Sequence, residues 1–551
     1  MARRYGFFVT VLFAHLLVFS SEAAQHEHAG QTSENLGTVQ FNTSCSAQAQ
    51  PQFNRGVALL HSFWFEAAIG QFQATAKNDP KCAMAHWGIA LSLWGNPFAP
   101  KPHHTDKTVQ EAWASVRMAA DLGAGTEREM AYVGAVTELW RDAGTRQARA
   151  RLIAYTRAME LVATQYAEDR EAAIFYALAL AASASPTDKT YANQLKAGAL
   201  LEKIFPEQPD HPGVAHYIIH SYDVPPLAPK ALDAASRYAK IAPSASHALH
   251  MPSHTFTRVG YWQDSIDTNI ASAKAAKKEG CTAEELHAMD YQIYAYLQSG
   301  QDVAAKRMVD ALPSVVSRLD PQALCGAAPG SAGLFAAAAI PARYALERRV
   351  WAEAAVLEVR TSAFAYADAP AHFARALGMA RTGQVAAAQR EISQLEALGA
   401  KLTAENDTYW AGQVDIQRQV AAAWVAHAEG RTGQALDLMR KAADAEGATE
   451  KSAITPGPFA PAGELLAELL VEANQPAEAL ASFEAMLKKE PNRFRALYGA
   501  ARAAESAGDR EKAAEYYRKL LDICARAGMP ARAELQHATK FIAHAEGAAR
   551  R

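Results

Sequence analysis

The chain has 551 residues, half of them apolar, and carries 55 Lys plus Arg against 58 Asp plus Glu, so it can bury a large core and has no excess of positive charge. That balance predicts no nucleic-acid partner. It contains no Walker phosphate loop, strand-associated Gly-x-Gly-x-x-Gly, Gly-x-Ser-x-Gly elbow or paired-cysteine zinc motif, so neither a nucleotide or organic cofactor nor a nucleophilic hydrolase is indicated.

Residues 1–23 read as an export signal. Arg3 and Arg4 supply positive charge, Gly6 to Ser20 is almost wholly apolar, and the small residues Ser21, Ala23 and Ala24 follow. The apolar stretch is short for a membrane span and has no later counterpart, so the expectation is a periplasmic or secreted protein without stable membrane insertion. Cleavage after Ala23 would expose Ala24-Gln25-His26, a sequence able to chelate copper(II) or nickel(II). Residues 24–44 are polar and aperiodic and read as a flexible leader. Export permits disulfides among Cys45, Cys82, Cys281, Cys325 and Cys524. Sequence neighbours suggest Cys45 with Cys82 and Cys281 with Cys325, although other connectivities remain open.

From Gln50 onward, apolar residues recur at helical spacing in Ala-rich segments broken by short Gly, Asp or Pro turns. One stretch places Gly56, Leu59, Ala68, Phe72 and Pro80 in order. A later pair places Leu466, Ala479, Phe483 and Pro491, then Leu497, Ala513 and Tyr517. Weaker echoes are Gly383, Ala388 and Leu395, and Gly430, Ala435 and Ala442. These residues resemble the tetratricopeptide-repeat family, in which small residues let two helices approach, an aromatic fills the gap and proline ends the second helix. The resemblance implies an all-α fold, a tetratricopeptide-like helical-hairpin solenoid wound as a right-handed superhelix, with degenerate central repeats and long loop inserts. The expected division is a degenerate array over 45–445, a Pro/Gly linker or loop over 446–462, a repeat pair over 463–531, and a terminal helix and tail over 532–551. Pro97, Pro100 and Pro102 mark a further loop.

Six of the 18 histidines lie between residues 211 and 254, and His216 and His220 recur as His250 and His254 after 34 residues. Spacings of three, four and seven put side chains on one face of a helix. In the repeat family that offset is one hairpin, and the matching positions of helix A line the concave surface. They place His216, His220 and Asp223 on one wall, His247, His250 and His254 on the next, and His287, Asp290 and Tyr294 on a third. Imidazoles from packed helices about 8–10 Å apart can converge on one ion, so His216, His220, His250 and His254 are candidate metal ligands, with Asp223, His247, His287 and Asp290 as further ligands or supports. Zinc, copper or iron would suit such donors. Pro252 falls inside the second histidine helix. It either kinks that helix at about 3 kcal/mol or starts it, which would move His247 off the face.

The competing reading is a hydrogen-bonded polar interior, copied by duplication and holding no metal. His61 and the pair His86 and Trp87 are expected to pack in the core, and His103 and His104 to face solvent. The combined pattern His216-Tyr217-Ile218-Ile219-His220 and His250-Met251-Pro252-Ser253-His254 resembles exported bacterial tetratricopeptide proteins, a likeness that implies no reaction. The functional expectation is an exported repeat protein whose concave groove binds a peptide, protein or small ligand, with a histidine-bound metal as its elaboration. A metalloenzyme using Asp223, Asp290 or Tyr294 for proton transfer or substrate positioning, or a metal carrier, are the alternatives.

Overall fold

Helix follows helix along the chain because the apolar positions recur every three or four residues and the breaks carry residues that accept a left-handed backbone. Gly383 (φ 77°) and Gly430 (φ 80°) close two such turns, a conformation that costs glycine almost nothing. The computed structural model describes Met1, residues 34–99 and residues 104–549. Among the described residues every regular element is helical, and none is long and apolar enough to cross a membrane. The export signal, the Ala24-Gln25-His26 sequence and His103 lie outside the described residues.

The first hairpin joins helices Gln50–His61 and Phe65–Asn78. Phe72 is fully buried between them, and a Cβ on Gly56 would lie 2.7 Å from its ring. Gly88 of the following helix, Ala83–Trp94, approaches the same ring just as closely, at 2.6 Å. The C-terminal pair repeats the arrangement, with Phe483 buried and a Cβ on Gly499 only 2.2 Å from its ring. Degenerate repeats keep the small-residue seam as well: Ala388, Leu395, Ala435 and Ala442 are all fully buried. The outcome is the expected helical-hairpin solenoid.

From Asn35 onward the described residues form one compact unit. Two segments differ from expectation. The leader is docked from Asn35, since Leu36, Val39 and Phe41 are buried and Phe41 packs its ring against Phe53, Trp87 and Tyr132. Its three apolar residues lie too close in sequence to register as a periodic element. The Pro/Gly stretch after helix Thr432–Gly447, read from sequence as a linker or loop, turns inward. Ile454, Thr455 and Phe459 are buried, and Arg343 donates to Thr455 Oγ1 at 2.7 Å and to the Pro458 carbonyl at 3.2 Å. This strap lies over the histidines described below.

Disulfides join Cys45 to Cys82 and Cys281 to Cys325, and Cys524 is free and buried. Closing loops of 37 and 44 residues stabilises the fold by about 4 kcal/mol each in the chain-entropy account.

Because Phe483 fills the space a side chain on residue 499 would need, Gly499→Ala is expected to lower stability by about 1–3 kcal/mol. The midpoint of urea unfolding reads this out, and an unchanged midpoint would show that the helix seam is loose.

Candidate metal centre

Three stretches of helix carry the histidines. Helix Pro212–Ser221 begins with proline in its first turn, and His211 caps it by accepting the Val214 N–H at 3.3 Å; His216 and His220 share one of its faces. Helices Ser246–His250 and Pro252–Val259 meet at Met251, whose backbone stays helical at φ −54°, ψ −35°. Pro252 therefore occupies the first turn of a new helix, where a missing N–H costs little. The predicted kink becomes a junction, and His247 keeps its place beside His216. Helix Thr282–Gln298 supplies His287.

The rings fall into two adjacent sets. His216, His220 and His247 form one and His250, His254 and His287 the other, with the ligating atoms of each set within 4.8 Å of one another. His216 Nε2 lies 3.2 Å from His247 Nε2, and His250 Nε2 lies 3.1 Å from His254 Nε2. All six residues are at most 7 % exposed, so the site is interior and does not line an open groove as expected. Two nitrogens bound at about 2.0–2.1 Å to one ion, at an angle near 100°, sit about 3.1–3.2 Å apart.

The outward ring nitrogens fix the tautomers. His216 Nδ1 is 2.7 Å from the His61 carbonyl, which can only accept. His254 Nδ1 is 2.9 Å from the Asp223 carboxylate. His250 Nδ1 is 2.7 Å from Asn269 Oδ1, and the Asn269 amide is oriented by its own donation to the Ser265 carbonyl at 2.7 Å. Each Nδ1 therefore carries the hydrogen, and each Nε2 presents a bare lone pair. His250 and His254 thus aim two lone pairs at each other across 3.1 Å with no proton between them. His220 Nε2 and His287 Nδ1 are buried without any partner. Hydrogen-bonded outer nitrogens behind unpaired inner ones are the arrangement metal-binding histidines use.

Protonation does not relieve the contact at neutral pH. Burial, reinforced by neighbouring rings, holds His216, His220 and His250 well below the ordinary imidazole value, and burial brings His254 to about 4 and His287 to about 3. Burial alone would raise the Asp223 carboxyl, but Lys451, Arg258 and His254 outweigh it and hold Asp223 well below the carboxylate range. Arg258 Nε donates to Asp223 Oδ1 at 2.8 Å, and Lys451 Nζ reaches Oδ2 at 3.3 Å. Asp223 is therefore an outer support of His254.

Two expected residues stand elsewhere. Asp290 is held by Arg343, with Nε to Oδ1 at 2.7 Å and Nη2 to Oδ2 at 3.3 Å. The Tyr294 hydroxyl accepts from Arg493 Nη1 at 2.8 Å and lies 3.3 Å from Glu490. The helix instead turns Glu284, His287 and Tyr291 to the site: Tyr291 stacks on His254 at 4.8 Å between ring centroids, and Glu284 Oε1 is 3.6 Å from His247 Nδ1. At about 100° per residue these three share one side, with Asp290 roughly a right angle away and Tyr294 a further turn along. The i, i+3, i+7 spacing of Glu284, His287 and Tyr291 is the sequence signal for this face; the repeat positions pointed to Asp290 and Tyr294 instead. Asn269 and Lys451 had no such signal.

Other described histidines lie outside these two sets. His61 and His211 both contact Glu171, at 2.9 and 2.8 Å, and satisfy it between them. His104 lies among Trp94 and Trp140 and contacts the Trp94 carbonyl at 3.1 Å, correcting its expected exposure. Trp87 is buried, but His86 is only half-buried.

A cavity of about 10 Å³, enough for about one water-sized particle, opens among His220, His247, His254 and His287 under Phe98 and Ile454. His220 and Phe98 also border a cleft of about 750 Å³, together with Trp94, Asp223, Tyr409 and Lys451.

The tetratricopeptide repeat model matches residues 465–528, where Phe483 and Gly499 make the seam described above. Residues 465–528 thus carry the tetratricopeptide repeat pattern. No curated protein matches it. Among solved structures it is similar to a human IFIT1 dimer with m7Gppp-AAAA, at 10 % identity and a TM-score of 0.37 over 88 % of this chain and 96 % of that one. It is also similar to a human IFIT1 dimer with PPP-AAAA, at 12 % identity and a TM-score of 0.36 over 80 % and 91 %. The exclusion of nucleic acid drawn from charge balance is withdrawn, since those helical proteins were solved with nucleotide ligands. At such TM-scores the likeness assigns no ligand to this chain.

Asp290→Ala is expected to leave Arg343 buried without its counter-charge and to cost about 3–5 kcal/mol in chemical denaturation. Metal uptake per folded molecule should stay at the wild-type level; its loss would return Asp290 to the ligand set.

Proposed function

We propose that this chain is an exported tetratricopeptide-repeat scaffold that holds transition metal in its histidine interior and presents it to a ligand entering the adjoining cleft. The observation that carries the reading is the pair of bare nitrogens of His250 and His254, 3.1 Å apart and with both outer nitrogens committed to acceptors. Two buried lone pairs at that distance repel unless a cation lies between them. A hydrogen-bonded polar core would place a proton there, and the outer contacts have already used it.

Export is supported by the charged, apolar and small-residue order of residues 1–23 and by two disulfides, which persist in oxidising compartments. Zinc, copper and iron all accept imidazole. Presentation to a ligand is favoured over a sealed store because His220 borders both the inner cavity and the cleft. The same opening favours a metalloenzyme as the second reading, with the Tyr291 hydroxyl and the Lys451 amine, 3.3 Å apart, as the polar groups next to His254 and Asp223.

Elemental analysis of the purified full chain tests the proposal. The wild type should carry a transition metal, and the double variant His216→Ala, His250→Ala should lose it while retaining its helical circular-dichroism spectrum. A wild type that stays metal-free after reconstitution with zinc, copper and iron salts would reject the metal and leave a helical scaffold alone.

A further inference from the structure

Resting on the metal reading above, we infer that the six histidines hold two ions, one per set of three, with a single small oxygen ligand shared between them. The close nitrogen contacts divide cleanly. His216 pairs with His247 at 3.2 Å and His250 with His254 at 3.1 Å, and each pair has its own third imidazole, His220 or His287, bearing a buried nitrogen that no protein group satisfies. One ion engaging one pair would leave the other close Nε2 contact outside its reach. Outer supports divide in the same way: the His61 carbonyl steadies the first set, while Asn269 and Asp223 steady the second. The 34-residue recurrence of His216 and His220 as His250 and His254 gives each set one pair of histidines four residues apart.

The two half-sites are side by side. Ring centroids of His220 and His254, and of His247 and His250, are 6.0 Å apart, closer than the 6.3 Å between His220 and His247 within one set. The cavity with room for about one water is bounded by two rings from each set, His220 and His247 facing His254 and His287. A particle there touches both half-sites, which is the place of a bridging water, hydroxide or diatomic oxygen species in a two-metal centre.

The donor set narrows the metal class. Each half-site offers three imidazoles; the nearest carboxylates are Asp223, engaged by Arg258, Lys451 and His254, and Glu284, whose Oε1 accepts from the Ala327 and Ala328 N–H groups at 2.5 and 3.0 Å and whose Oε2 is buried without a partner. Carboxylate-poor, imidazole-rich sites suit late first-row ions, with copper highest in divalent affinity, over iron, manganese or magnesium.

Cobalt(II) titration of the metal-free full chain, followed by desalting and elemental analysis, tests the pair; cobalt(II) is the probe because copper(II) would also occupy an amine-terminal Ala24-Gln25-His26 site. The expected result is two equivalents in the wild type and one in each of His220→Ala and His287→Ala, with an electron-paramagnetic-resonance signal below that of two isolated ions in the wild type and restored to one full ion in the variants. One equivalent in the wild type would overturn the pair and keep the metal reading. No bound cobalt would overturn both. A folded His220→Ala or His287→Ala variant that retains two equivalents would also overturn the division into these sets.

Discussion

The organisation of this molecule turns on two imidazole nitrogens facing each other across 3.1 Å inside a helical stack. Each ring is pinned from behind, His250 by Asn269 and His254 by Asp223, so neither can rotate to escape without breaking a buried hydrogen bond. Asn269 is itself pinned by the Ser265 carbonyl one helical turn away, and Asp223 by two cations. A buried polar network of this kind is stable when every member is satisfied, and the inner nitrogens are the members left over. A cation there would supply the missing partner, whereas a water could serve only one or two of them.

Much of the surrounding structure keeps this interior closed. The strap after Gly447 brings Lys451 to Asp223 and offers the Ala453 and Thr455 carbonyls to the Tyr291 hydroxyl, each at 3.1 Å. Arg343 ties the same strap to Asp290. One layer further out, Arg493 binds Glu464 at 2.6 Å, Glu347 at 2.9 Å and the Tyr294 hydroxyl at 2.8 Å, and the Phe494 N–H donates to Gln298 at 2.9 Å. The C-terminal repeats are in this way keyed to the helix that carries His287. Asp290 and Tyr294 belong to this bracing, which explains why polar residues of that helix are buried without facing the histidines.

A repeat array suits such a site because stacking brings equivalent positions into register. His216 meets His247 across one hairpin step, and helix Thr282–Gln298 adds His287 beside His250. The regular seam of Gly56 with Phe72 and Gly499 with Phe483 sets the close approach of the helices. Inserts that spoil a smooth superhelix, such as the strap, are what cover the interior and leave the cleft at His220 as its border with the outside.

From sequence alone, the helical class, the repeat seams at both ends and the gathering of His216, His220, His247, His250, His254 and His287 were legible, because periodicity and repeat spacing place side chains on faces whatever their neighbours. The cysteine pairings suggested by proximity in the chain are the ones formed, although sequence left other connectivities open. Only the tertiary structure decided which rings pair, which nitrogen of each is bare, and that Asn269, Lys451 and Glu284 stand around them while Asp290 and Tyr294 do not. Those outcomes depend on the rotation of one helix about its axis, to which the spacing of Glu284, His287 and Tyr291 was the only local clue, and on contacts between distant residues, such as Lys451 with Asp223, about which local pattern carries no information.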